Sequence, residues 1–284
     1  MPNSMSPKKK YIVIPWDFSE GSEIALKHAV QLAKVVNNGI ALLYINNIKG
    51  GIFGGFSKKH KEDELKKIES ELTARAEEIS KEFDLECRAF VRQGKAKQIA
   101  QEIIHTVNAN LMVMFRAVQG NKNTLSVRDF LRILKGAFIP FIIVETPPSH
   151  DYYKEIVVPI DDDRRYRESL AWIIYMSNYY QCNINLMKPY LTDEFRKKDL
   201  ANNVYFTKKM LDKQNIIYGV KTAKKKEAFK TAIFNFAGII EADMVMMTAK
   251  YYLKWISGKS HESFDIPVMC IPPRADLSKY SSFI

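Results

Sequence analysis

The chain has 284 residues, 46% of them apolar, which is enough for two domains of about 140 residues with separate cores and too apolar for disorder on the scale of a domain. No apolar run approaches the roughly 18 residues of a membrane span, and Met1 to Lys10 lacks the apolar stretch of a signal peptide, so a cytoplasmic protein without a membrane segment is expected. The net charge of +11 would attract phosphates, acidic lipids or acidic proteins, but its sources are dispersed over Lys8-Lys9-Lys10, Lys58-Lys59-His60-Lys61 and Lys224-Lys225-Lys226. No zinc-finger spacing or aromatic pair stands beside them in sequence, so nucleic acid is not an expected partner.

Ile12 to Trp16 is apolar throughout, as a buried parallel strand should be. Asp17-Phe18-Ser19 then offers two N-caps, and Ala25, Leu26, Ala29, Leu32, Ala33 and Val36 mark one face of a helix that Asn37-Asn38-Gly39 ends. Ile40 to Ile45 predicts a second strand, followed by the glycine-rich Gly50 to Phe56 and a charged helix from about Lys58 to Phe83. A strand over Glu86 to Arg92, a helix over Ala96 to Val107, a strand over Leu111 to Phe115, a helix near Leu125 to Leu134 and a strand over Ile139 to Val144 complete the first half. Glu145-Thr146-Pro147-Pro148-Ser149-His150 is a linker, since two prolines block both helix and central strand.

The second half repeats the order. Strands are predicted over Ile156 to Ile160, Ile184 to Met187, Ile216 to Lys221, Met244 to Thr248 and Val268 to Ile271, with helices over Arg167 to Tyr179, Asp193 to Lys213 and Glu227 to Glu241. The segment between the last two strands reads as short and irregular. The echo is also literal: Val13-Ile14-Pro15-Trp16-Asp17 returns as Val157-Val158-Pro159-Ile160-Asp161, Asn110-Leu111-Met112-Val113-Met114 as Asp243-Met244-Val245-Met246-Met247, and Ile139-Pro140-Phe141 as Ile266-Pro267-Val268. Three matches in one order predict two copies of one α/β domain, over residues 1–146 and 151–273, with a polar tail over 274–284. Strand and helix alternate, so each copy should be a five-stranded parallel sheet flanked by helices, of Rossmann-like type.

Candidate chemistry is sparse. Cys87, Cys182 and Cys270 are widely spaced and odd in number, which fits buried thiols in a reducing compartment. The five histidines lack zinc spacing and no serine stands in a nucleophile elbow, so neither a metal site nor a catalytic residue is expected. Asp161-Asp162-Asp163 reads as a solvated acidic turn with Arg164-Arg165 as partners, because adjacent carboxylates cannot all converge on one ion. Asp17 and Asp161 occupy equivalent strand ends, where they either order the turn into the next helix or face a ligand. The Gly50 to Phe56 segment is a connector, or a loop that docks a partner.

The arrangement resembles the universal stress protein family in its tandem two-domain form. Val13-Ile14-Pro15-Trp16-Asp17-Phe18-Ser19-Glu20 with Ser22-Glu23 and Ala25-Leu26, then Ala109 to Met114, then Ile139 to Val144 carry the likeness, which spans essentially the whole chain. In the nucleotide-binding branch of that family, ATP lies across the strand ends, an Asp after the first strand faces the base, and a G-x2-G-x9-G-[ST] loop after the fourth strand wraps the phosphates. By position the resemblance puts the adenine-side elements on Pro15, Asp17, Ile45 and Met114. It puts the glycine positions on Phe115, Val118 and Val127 and the hydroxyl on Arg128, and the run Met247 to Leu253 in the second copy is also free of glycine. Each replacement adds a Cβ where backbone would have to approach an anion. The resemblance therefore implies a stress-response protein that acts by binding a partner or a small ligand, without turnover and with no cofactor. The alternatives are an ATP- or adenine-binding member using another phosphate loop, with slow hydrolysis, and a basic module that binds anions or nucleic acid. It further implies that Phe141 to Val144 and Val268 to Ile271 form a pseudo-twofold seam between the halves, in a monomer or small homo-oligomer.

Overall fold

A computed structural model describes residues 9–46, 58–116, 133, 139–256 and 265–272. The chain separates into two compact units, Met1–Ala137 and Phe138–Ile284.

In the first unit, β1 (Tyr11–Pro15), α1 (Glu20–Val36), β2 (Gly39–Asn46), α2 (Lys58–Phe83), β3 (Cys87–Gln93), α3 (Ala96–Thr106) and β4 (Ala109–Phe115) alternate as predicted. The sheet runs β3-β2-β1-β4 and every pairing is parallel. Strands β1 and β4 are apolar because both their faces are buried. Edge strand β3 is half-exposed and carries Arg88 and Arg92, charges that discourage pairing with a foreign strand. Helix α1 starts where the Ser19 side chain accepts the Ser22 N–H and stops where Asn37 turns left-handed at φ 52. Leu72, Ala76 and Ile79 are the buried side of α2, which is tied to α1 by the two-pronged bond from Arg75 to Glu23 at 3.1 and 2.8 Å.

The second unit contains β5 (Phe141–Val144), β6 (Glu155–Pro159), a 3-10 turn (Arg164–Ser169), α4 (Leu170–Tyr180), β7 (Asn183–Lys188), α5 (Glu194–Lys213), β8 (Tyr218–Thr222), α6 (Phe229–Ile239), β9 (Met244–Thr248), α7 (Ala249–Ile256) and β10 (Val268–Ile271). Its strand order is β5-β10-β9-β6-β7-β8, with β6 to β10 parallel. Strand β5, read from sequence as the close of the first copy, groups here because it runs antiparallel to β10, Val268 facing Ile143 and Cys270 facing Phe141.

Two local expectations change. The helix predicted from Arg167 opens three residues earlier as a 3-10 turn, because Asp163 accepts the Arg165 N–H and starts it. The segment after β9, read as irregular, is helix α7. Ala249, Tyr252, Leu253 and Ile256 recur at helical spacing there, and Ala249 and Tyr252 are buried. The predicted helix near Leu125 to Leu134 lies outside the described residues apart from Ile133, which is helical and buried. The Gly50 to Phe56 segment and the 274–284 tail lie outside them as well.

Phe141 is fully buried in a four-residue strand. Phe141→Ala should lower the unfolding free energy by about 3–5 kcal/mol, measured by guanidinium denaturation followed by far-UV circular dichroism.

Candidate functional site

The described strands of the first unit carry Pro15, Asp17, Ile45 and Met114 to the carboxyl ends of β1, β2 and β4, three neighbours in the sheet. Ligands of open parallel sheets collect at such ends. Met114 is buried, whereas Pro15, Asp17 and Ile45 are half-buried.

One oxygen of the Asp17 carboxylate is taken up by its own turn. Oδ1 accepts from the Ser19 N–H at 3.0 Å, the Ser19 hydroxyl at 2.5 Å and the Ser22 hydroxyl at 2.6 Å, while the Asp17 N–H donates back to Ser22 Oγ at 3.0 Å. This closed set of bonds forces Phe18 into the left-handed region at φ 60, uncommon for an aromatic residue, and leaves its ring 42% exposed. Phe18 meets Trp16 edge-on at 6.4 Å between centroids and lies 6.1 Å from Tyr44. Burial, with Glu64 and Asp17 adding, raises the Tyr44 phenol above its ordinary value. Trp16 is buried, and its indole N–H has no hydrogen-bond partner among the described residues.

Phe115 closes β4, and its ring lies on the first turn of α1. A Cβ at Gly21 would stand 2.2 Å from Phe115 Cδ1, so only glycine permits this approach. Glu20 shares that turn and adds negative charge to it, while Glu23 is paired with Arg75. Val118, Val127 and Arg128 lie outside the described residues.

In the second unit the three adjacent aspartates take separate partners. Asp161 Oδ1 accepts the Asp163 N–H at 3.0 Å. Asp162 receives Arg196 in a two-pronged bond at 2.7 and 3.0 Å, and Asp163 pairs with Lys250 on α7 at 2.5 Å. The turn is held from behind by buried Asn203 on α5, whose amide donates to the Asp161 and Asp163 carbonyls at 2.8 and 3.0 Å while its oxygen accepts from Arg167 Nε at 3.2 Å. Burial pushes the Asp161 carboxyl up to about 6, and its own backbone bond only partly opposes this. The Arg196 and Lys250 cations hold Asp162 and Asp163 below the usual carboxylate range.

Because α7 begins at the residue after β9, its side chains reach straight across this strand end. Tyr251 closes over Asp161 together with Tyr166 and Thr248. The neighbouring cleft, between Asp163, Tyr166, Thr248, Lys250 and Ile271, encloses about 20 Å³, room for a single water.

Elsewhere the chemistry is inert. Burial drives the Cys87 thiol up to about 12 and raises those of Cys182 and Cys270 further, so all three stay protonated. No group of three metal-ligating side chains occurs among the described residues. His28 is buried within α1, His105 sits exposed on α3, and His150 Nδ1 meets Asp243 at 2.6 Å. Asn203 was not found from sequence, since nothing in its helix marks it. Asp243 could have been, because the repeat sets it opposite buried Asn110.

Gly21→Ala should cost about 1–3 kcal/mol, and adding Phe115→Ala should recover part of that loss, a coupling measurable by a double-mutant cycle. Between pH about 4 and about 6 the folded chain binds more protons at Asp161 than the unfolded chain, so stability from this group declines as pH rises through that window. Asp161→Asn should abolish the decline and raise stability at pH 7 by about 1–3 kcal/mol, read from denaturation midpoints across the pH range.

No sequence model of a protein family matches the chain. No curated protein matches it either. Among solved structures it is similar to a universal stress protein from Archaeoglobus fulgidus DSM 4304, at 15% identity and a TM-score of 0.69 over 93% of this chain and 96% of that one. A functionally unknown protein from Pseudomonas aeruginosa PAO1 is similar at 14% identity, TM-score 0.58, over 96% and 97%. A third, from Pseudomonas aeruginosa UCBPP-PA14 and provisionally named a universal stress protein, is similar at 15% identity, TM-score 0.56, over 99% and 100%. The fold is thus that of full-length, tandem universal stress proteins.

Proposed function

We propose that the chain is a tandem universal stress protein of the cytoplasm that works by binding a partner or small ligand, with a nucleotide site that has degenerated in both halves. The observation that carries this reading is the Phe115 ring seated on Gly21 at the first turn of α1. A polyphosphate there would need free backbone N–H groups and a partial positive charge. The ring covers the turn, and Glu20 opposes an anion.

The second half supports the same reading through different residues. Helix α7 follows β9 without a glycine, and Lys250 in its first turn is already paired with Asp163. Binding in place of turnover is supported by the state of the reactive groups: three thiols protonated by burial and an Asp17 carboxylate with one oxygen held in its turn. Separate unpaired thiols suit a reducing compartment.

Isothermal titration with ATP and magnesium should give no heat of binding at micromolar concentrations, and a micromolar dissociation constant at either half would overturn the reading. A second reading, that an adenine compound still binds through Pro15, Asp17 and Ile45, is favoured by the unpartnered indole N–H of Trp16 beneath an exposed Phe18. Native mass spectrometry of freshly purified protein separates the two, since a retained adenine compound would appear as a mass increment.

A further inference from the structure

Strand β8 is the last in the order of the second unit's sheet, so one side of its backbone has no strand beside it among the described residues. The ladder with β7 shows which groups face that side. Its register runs unbroken from Ile184 opposite Tyr218 to Lys188 opposite Thr222. The Ile184 N–H donates to the Ile217 carbonyl at 3.4 Å and the Ala223 N–H to the Lys188 carbonyl at 2.9 Å, so the odd-numbered residues of this stretch turn their polar groups toward β7. By the alternation of a strand, Tyr218, Val220 and Thr222 turn theirs outward. Neither a proline nor a bulge interrupts this row. Side chains cover little of it: Ile217 is 79% and Val220 41% exposed, and Gly219 has none.

Such an edge invites foreign strands, and a lysine is a common deterrent. Here the deterrent is selective. The Lys221 ammonium lies over the Phe236 ring of α6, 4.2 Å from its centroid, so the side chain rests on the helix instead of crossing the backbone row. Beyond the strand come Lys224, Lys225 and Lys226, all exposed and without an ion pair among the described residues. The Glu227 N–H closes their turn on the Lys224 carbonyl at 3.2 Å, and the Ala223 bond ties it to β7, which holds the lysines at the end of the edge. Against these four lysines stand the carboxylates of Asp212, which accepts the Tyr218 hydroxyl at 2.8 Å, and Glu227, which Asn235 reaches at 3.5 Å. A strand bearing carboxylates is drawn to this edge, and a basic strand is repelled. The repelled class includes a second copy of this chain: pairing β8 with itself would bring two lysine turns and two Lys221 side chains onto one ladder, in a protein of net charge +11.

We propose that β8 is a docking edge for an extended acidic segment of a partner protein, which adds as a further strand through the outward groups of Tyr218, Val220 and Thr222 and sets its carboxylates against Lys221 and Lys224 to Lys226. Backbone pairing supplies affinity that many sequences can share, and the lysines select the sign of charge. Residues of the added strand on the Val220 face meet an apolar side chain, and those on the Lys221 face meet a cation, so alternating apolar and acidic residues fit best. Strand β8 stands two places from β6, which leads to Asp161, so peptide binding here and nucleotide binding there are tested separately.

The test uses a fluorescein-labelled peptide of about ten residues, long enough to run from Tyr218 to Lys226 at about 3.3 Å per residue. It alternates Val and Glu, ends in a run of Glu, and is titrated against the full chain by anisotropy. Hydrogen exchange read by mass spectrometry should slow across residues 217–223 in the bound state, because outward N–H groups gain acceptors. The variant K224A/K225A/K226A should weaken binding about tenfold and reduce its salt dependence. Val220→Pro removes an outward N–H and no bond to β7, and should also weaken binding about tenfold in a variant that circular dichroism reports as folded. A further measurement leaves the protein untouched. N-methylation of alternate peptide residues blocks the donors on one side of a strand, so one of the two sets should abolish binding and the other preserve it. Equal effects of the two sets, unchanged exchange across 217–223, or no binding at about 0.1 M salt overturns the proposal. Oligodeoxythymidine bound as tightly as the peptide at equal charge would make the lysine turn a general polyanion site and overturn it. A chain that sediments as a dimer and separates on Val220→Pro would place a second copy on β8 and overturn it as well.

Discussion

A phenylalanine ring pressed on a helical glycine sets the carboxyl end of the first unit's sheet. Because Gly21 has no Cβ, the first turn of α1 comes into contact with Phe115 at the end of β4. That close approach fixes where α1 begins, and the start of α1 fixes Ser19 and Ser22 where they meet Asp17. The turn, the cap and the strained Phe18 follow from one packing contact. A bulkier residue at position 21 would push the helix away and loosen all three.

The second unit solves the equivalent corner with polar side chains. Asn203, buried on α5, replaces bonds that the turn cannot make for itself by reaching the carbonyls of Asp161 and Asp163. Its own oxygen is satisfied by Arg167, whose guanidinium also lies 4.6 Å from the Phe206 ring centroid. The cations Arg196 and Lys250 then divide the remaining carboxylates, which leaves Asp161 as the one acid of the three raised by burial. In both units the aspartate after the first strand is a turn residue held by its neighbours, by serines in one and by a backbone N–H in the other.

Much of this fold was legible in the chain. The strands from Ile12, Ile40, Ala109 and Met244 are apolar runs bounded by caps and turns, and the repeat fixed their order. What the sequence hid are contacts between segments far apart. Helix α7 follows β9 with no breaker, so its apolar spacing merged with the strand's own. The pairing of Phe141 to Val144 with Val268 to Ile271, more than 120 residues on, is expected from the family resemblance alone, since no local pattern encodes a partner. Asn203 is one polar residue on a helix of polar residues.

Duplicated positions also show what each unit demands of the same backbone. Asn110 lies at the start of β4 and Asp243 just before β9; Asn110 is buried and the Asp243 side chain is only 6% exposed. In the first unit the Asn38 amide donates to Asn110 at 3.0 Å, a neutral bond that joins the end of α1 to the strand. In the second unit the incoming linker delivers three donors to one place: the Lys154 and Glu155 N–H groups at 2.7 and 2.8 Å and His150 Nδ1 at 2.6 Å. An amide oxygen could not accept all three, whereas a carboxylate has the lone pairs to do so. Burying that charge is tolerable only because every donor is present. The change from Asn to Asp between the copies is therefore a consequence of where the linker enters, and it joins residues 150–155 to the start of β9 through a single side chain.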